Sequence, residues 1–175
     1  KVVAEFGAAD FERLRTAGAA IRDRALATLD AYIERFEREA TRRGATVLFA
    51  ESGAAACELV LEICRRHGLK KAIKSKSMLS EEAGLNDALA AAGVEPVETD
   101  LGEYIIQLAG EPPSHIIAPA VHKSKDEVAD LFAAHHGQPC KTDIGEMTRE
   151  ARAVLRGHFV SADLGISGGN FLIAE

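Results

Sequence analysis

Between residues 10 and 43 the apolar positions Phe11, Leu14, Ile21, Ala25, Leu29, Ile33, Phe36 and Ala40 recur at three- and four-residue steps, separated by Arg, Asp and Glu. This spacing predicts one long amphipathic helix, or two with a break near Gly18. Glu34 and Arg38, four apart, support its exposed side, and Gly44 is a natural stop. Beyond Gly44 the pattern alternates. Residues 45–50 (ATVLFA) read as a strand, Ser52 caps a helix reaching His67 and Gly68, and residues 69–74 read as a second strand. Ser80 then caps a helix to Ala92, ended by Gly93, and residues 94–98 form a third strand. Strand, helix, strand, helix, strand predicts an α/β fold with a doubly wound parallel sheet.

The remaining elements are shorter. Asp100 is placed to cap a helix over residues 101–108, although YIIQL also has strand propensity. Pro112 and Pro113 stop it, and SHIIAPAVH supplies a fourth strand centred on Ile116 and Ile117. Ser124 or Asp126 opens a helix to His135, and residues 148–155 form another. Residues 162–166 and 171–174 read as closing strands. At 175 residues the chain reads as one domain: an N-terminal helical segment, 1–44, packing on an α/β domain, 45–175. The strand-like ending NFLIAE and a helical start without a cap lead to the expectation that the domain is truncated and belongs to a longer protein.

Composition narrows the function. A formal net charge of -6 and 5% aromatic residues, with no Trp, speak against nucleic-acid binding, which needs a local excess of Lys and Arg. No apolar run approaches the 20 or so residues of a membrane span, and no leader pattern opens the chain, so a cytoplasmic protein without a membrane span is expected. Cys57, Cys64 and Cys140 form no CxxC pair, so neither a disulfide framework nor a metal or cluster site is expected on this chain. Cys57 and Cys64, seven apart on one helix face, read as buried thiols.

In a doubly wound sheet, ligands bind outside the carboxyl ends of the strands. Here those ends carry Glu51-Ser52, Lys74-Ser75-Lys76-Ser77, Thr99-Asp100, the run from Pro119 to Lys123, and Ser167-Gly168-Gly169-Asn170. Cations, hydroxyls, a histidine and a glycine turn at one edge suit a small anion, with Lys74, Lys76, Ser77, His122 and Asn170 as candidate contacts. The same residues also fit a solvated turn, and Ser77 and Ser80 also fit helix caps. Asp100 and Glu103 form either a carboxylate pair or a cap with a dipole complement. His135-His136 suits a helix C-terminus more simply than a metal. No Walker, GxGxxG, GxSxG or HExxH motif is present.

Against this background, KSKSMLSEEAGLNDALAAAGVEPVETDLGEYIIQLAGEPPSHIIAPAVHKSK closely resembles the LUD-domain family, and within it the iron-sulfur subunits of lactate-utilisation complexes. RDRALATLDAYIERFE, CELVLEICRRHG, MTREARAVLR and SADLGISGGNFLIAE extend the resemblance over most of the chain. It implies a fold similar to the ribose-5-phosphate isomerase, glucosamine-phosphate deaminase and CoA-transferase superfamily. It also implies oxidation of L-lactate to pyruvate with electron transfer, in an assembly with other lactate-utilisation subunits rather than by this domain alone. A 4Fe-4S cofactor is then expected in the full-length protein, in a C-terminal ferredoxin-like module, and none within this chain. An alternative is an isomerase or acyl/CoA-transferase-like enzyme acting on an anionic substrate. CoA transferases of similar fold use a strand-end glutamate, and Glu175 or Asp100 would be its catalytic residue.

Overall fold

The computed structural model describes residues 2–114 and 118–168. The chain separates into two compact units, one from the first 48 residues and one beginning at Phe49. The N-terminal unit contains helices α1 (Val2–Phe6), α2 (Ala8–Ala27) and α3 (Leu29–Arg42). The helical pattern therefore does run to Arg42, but the breaks fall at Gly7 and Thr28, not at Gly18. Thr28 leaves helical geometry at φ -128° and ψ 27°, and its hydroxyl donates to the Arg24 carbonyl at 3.1 Å. Such back-bonding competes with the main-chain ladder, whereas an isolated glycine inside a helix costs only about 1 kcal/mol.

The second unit contains, in order, α4 (Gly53–His67), β1 (Lys71–Lys74), α5 (Met78–Glu82), α6 (Leu85–Ala91), β2 (Glu95–Glu98), α7 (Leu101–Ala109), α8 (Lys125–His136), α9 (Ile144–Ser161) and β3 (Leu164–Ile166). The described strands form a parallel sheet in the order β2-β1-β3. Lys74 stands opposite Glu98 on one side and Ile166 on the other. Strand residues alternate between two cores, as the two-residue period requires. Ala72 packs with Cys57, Leu61, Cys64, Leu85 and Leu89 from α4 and α6. Ile73 and Val97 face Tyr104, Ile105, Phe132, Met147 and Leu155 from α7, α8 and α9. The sheet is thus covered by helices on both faces, the Rossmann-like arrangement expected, and Cys57 and Cys64 are buried thiols.

Several expected elements change. Residues 45–50 form no strand, and Leu48 and Phe49 are exposed. A short apolar run becomes a strand only when a neighbour completes its ladder, and none does so among the described residues. The helix expected from Ser80 is two helices. Gly84, at φ 72°, breaks it in the left-handed region that only glycine enters cheaply, and Ser77 caps the first piece by accepting from Ser80 N. The helix expected at 148–155 is longer because Asp143 caps it, accepting from Glu146 N at 2.9 Å. Asp100 does cap α7, and Ser124 makes a reciprocal capping box with Glu127. The strands expected around Ile116 and at 171–174 lie outside the described residues. No helix among the described residues is long and apolar enough to cross a membrane.

Candidate functional site

The carboxyl ends of β1 and β2 hold a buried charged centre. β1 and β2 run in parallel register, so Lys74 and Glu98 end their strands side by side. Lys74 is 1% exposed, and its Nζ lies 2.7 Å from Glu98 Oε1 and 3.6 Å from Glu81 Oε1. The ammonium also donates to Ser80 Oγ at 3.0 Å, and Ser80 in turn donates to the Ser77 carbonyl. Asn86 Nδ2 donates to the same Glu98 oxygen at 2.8 Å. Gln107 fixes the strand beneath them by donating to Pro96 O and accepting from Glu98 N.

Glu103, in the first turn of α7, completes the centre. It is 2% exposed and neither carboxylate oxygen has a hydrogen-bond partner. Burial, followed by repulsion from Glu81, Glu98 and Asp100, pushes its carboxyl up to about 7, against a smaller opposing pull from Lys74. Lys76 Nζ approaches to 4.0 Å from the outer side. Glu81, Glu98 and Glu103 line a cavity of about 560 Å³ that extends past Gln107 to Glu111 and Pro112.

A second group of polar residues lies where β1 and β3 diverge into their loops. Ser75 Oγ donates to Ser167 Oγ at 3.0 Å, and Ser75 N donates to Ile166 O. Gly168 lies so close to Ser77 that a Cβ there would sit 2.6 Å from Ser77 Oγ. The fold therefore joins the KSKS segment to the first residues of SGGN across the sheet.

The residues singled out in the sequence have separate environments. Lys74 is an internal ion-pair partner, whereas Lys76 is 45% exposed. Ser77 is a helix cap beside Gly168. His122 is partly exposed, and its Nε2 is 2.9 Å from Glu111 Oε2; Lys123 also binds Glu111, and of these three residues Glu111 lines the cavity. Asp100 accepts from Gly102 N and Glu103 N as a helix cap. Asn170 and Glu175 lie outside the described residues. Glu81, Glu98 and Asn86 were not singled out in the sequence. The available signal was a charged residue ending each of two apolar strands, Lys74 and Glu98, which parallel register then pairs.

An α/β domain with its charged centre at the strand ends is the class that these features define. Residues 33–175 match the family model of the LUD domain, and the chain belongs to that family. It is 41% identical over 166 residues to lactate utilization protein B of Bacillus cytotoxicus, covering 95% of this chain and 35% of that protein. Lactate utilization protein B of Geobacillus kaustophilus is 41% identical over 175 residues, covering 99% of this chain and 36% of its own length. The electron transport protein YkgF of Escherichia coli K12 is 39% identical over 175 residues, covering 100% and 36% respectively. The chain thus spans about a third of the length of these relatives. No solved structure matches it.

Proposed function

We propose that the chain serves in L-lactate utilisation, as the α/β domain of a cytoplasmic protein that takes part in oxidising L-lactate to pyruvate with electron transfer and in company with other subunits. The observation that carries this reading is the similarity, over 95% of the chain, to a protein named for lactate utilisation. The electron transport name of a further relative supports the redox part.

Iron-sulfur centres belong to this proposal but not to these cysteines. Cys57 and Cys64 lie two turns apart on α4, inside an apolar core, and Cys57 Sγ donates to Ala83 O at 3.3 Å. Cys140 is exposed on the loop after α8. This donor set does not fit a cluster, which takes convergent thiolates. Any cluster would be ligated outside these 175 residues.

The part of the reaction assigned to this chain is holding a small carboxylate at the strand ends. Lys76 and the hydroxyls of Ser75, Ser77 and Ser167 are the groups placed for it, because Lys74 is already enclosed by carboxylates. The test is thermal unfolding of the chain with L-lactate, pyruvate, sugar phosphates and coenzyme A. A ligand at about 100 times its Kd adds roughly 2.7 kcal/mol, a shift of several degrees. Stabilisation by lactate or pyruvate that Lys76→Ala loses is the expected result. Stabilisation by a sugar phosphate or coenzyme A alone would replace this reading with an isomerase or acyl transferase, and no stabilisation by any of them would remove the carboxylate site.

A further inference from the structure

We infer that Glu81, Glu98 and Glu103 bind one divalent cation of the hard, oxygen-preferring class, magnesium or manganese(II), at the inner end of the cavity. One oxygen from each carboxylate lies within 4.8 Å of the others, so an ion among them reaches all three at roughly 2.0–2.6 Å after small side-chain adjustments. Acidic neighbours on a surface would carry no such meaning. Glu98 and Glu103 differ because they are buried and hold carboxylate oxygens without a hydrogen bond.

Glu103 is 2% exposed, lines the cavity and has no hydrogen bond to either oxygen. Glu98 is 4% exposed; Lys74 and Asn86 occupy its Oε1, while its Oε2 has no hydrogen-bond partner. Buried polar oxygens are almost always satisfied, so such atoms facing one cavity point to a ligand that supplies positive charge. Asn86 Oδ1, also without a hydrogen-bond partner, offers a neutral oxygen donor beside them.

Charge and chemistry agree with this occupant. Glu98 and Glu103 are buried side by side with the Lys74 ammonium held on Glu98 Oε1, and a cation between the carboxylates would relieve the repulsion that, after burial, raises the Glu103 carboxyl. Lys74 does not need to leave, since it holds Glu98 Oε1 and Oε2 remains for the ion. An all-oxygen set, without imidazole or thiolate, suits magnesium or manganese rather than zinc or iron-sulfur chemistry. Resting on the proposed function, the ion would also reverse the sign of a cavity that otherwise repels an anion. Its cavity-facing positions would then accept the carboxylate and hydroxyl oxygens of a 2-hydroxy acid.

The experiment is a manganese(II) titration of the chain after chelator treatment, following the electron paramagnetic resonance signal of free manganese, with magnesium as competitor. The expected result is one bound ion per chain, displaced by magnesium and weakened at least about tenfold by Glu103→Gln. That variant preserves shape and removes a crowded charge, so its thermal transition reports folding separately from binding. Glu34→Gln/Glu37→Gln, on the exposed side of α3, should leave the titration unchanged. Absence of stoichiometric binding, or binding that Glu103→Gln retains, would overturn the site. Stabilisation by lactate in a chain that binds no manganese would sink this inference and leave the proposed function standing; manganese binding without any response to lactate or pyruvate would do the reverse.

Discussion

Lys74 and Glu103 sit in the same buried centre with opposite consequences for stability. The ammonium of Lys74 is what makes Glu98 tolerable at 4% exposure. Removing one member of a buried pair strands the other, so Lys74→Ala should lower stability by about 3–5 kcal/mol. Glu103 gains no hydrogen bond and faces two further carboxylates. In the absence of divalent cations Glu103→Gln should therefore raise the thermal midpoint by a few degrees, the size expected for a gain on the order of 1 kcal/mol in a chain of this length. Paired thermal melts in the presence of a chelator check both. A stable Lys74→Ala or a destabilised Glu103→Gln would contradict this description of the centre. Glu103 and Asp100 were legible in the sequence as neighbouring carboxylates at a helix start. Their different environments, a buried side chain and a cap, depend on what the sheet brings against α7.

Among the elements, α7, α8 and α9 are tied by a polar chain through their shared core. Tyr104 Oη lies 2.9 Å from His136 Nε2, and His136 Nδ1 lies 2.8 Å from Glu150 Oε1. Lys141 completes the carboxylate's partners. With Glu150 ionised, His136 Nδ1 donates to it and Nε2 accepts from Tyr104. The Lys141 hydrogen bond, outweighing burial, and then the His136 hydrogen bond hold the Glu150 carboxyl below its ordinary 4.5. A depressed carboxyl contributes stability above its unfolded value and loses it as pH falls through the folded value. Stability should thus decline below pH 4.5, and Glu150→Gln should flatten that part of the profile, as thermal melts between about pH 6 and pH 3 would show. At this scale helix identity was readable from caps and periodicity. The role of His136 was not, because its partners come from residues 104 and 150 on separate helices.

For the whole molecule, both hydrophobic cores draw their residues from the unit that begins at Phe49. A chain begun at Phe49 is expected to retain one cooperative thermal transition and its far-ultraviolet helical signal per residue; a broad, non-cooperative melt would show that the first 48 residues are required for folding. The family match begins at residue 33, within α3. The alternation of strands and helices from Ser52 to Glu98, the parallel sheet, Asp100 as a cap, a helix opening at Ser124 or Asp126, and the KSKS segment as a strand end were determined by the sequence alone, since each follows from local periodicity and capping chemistry. Only the tertiary structure decided that residues 45–50 lack a ladder partner among the described residues, that Lys74 is enclosed rather than presented to solvent, and that Glu81, Glu98 and Glu103 meet. Parallel pairing joins residues 24 apart at Lys74 and Glu98, and crossover helices bring in the rest. No local pattern records which charges will be buried together, because that depends on the packing of elements distant in sequence.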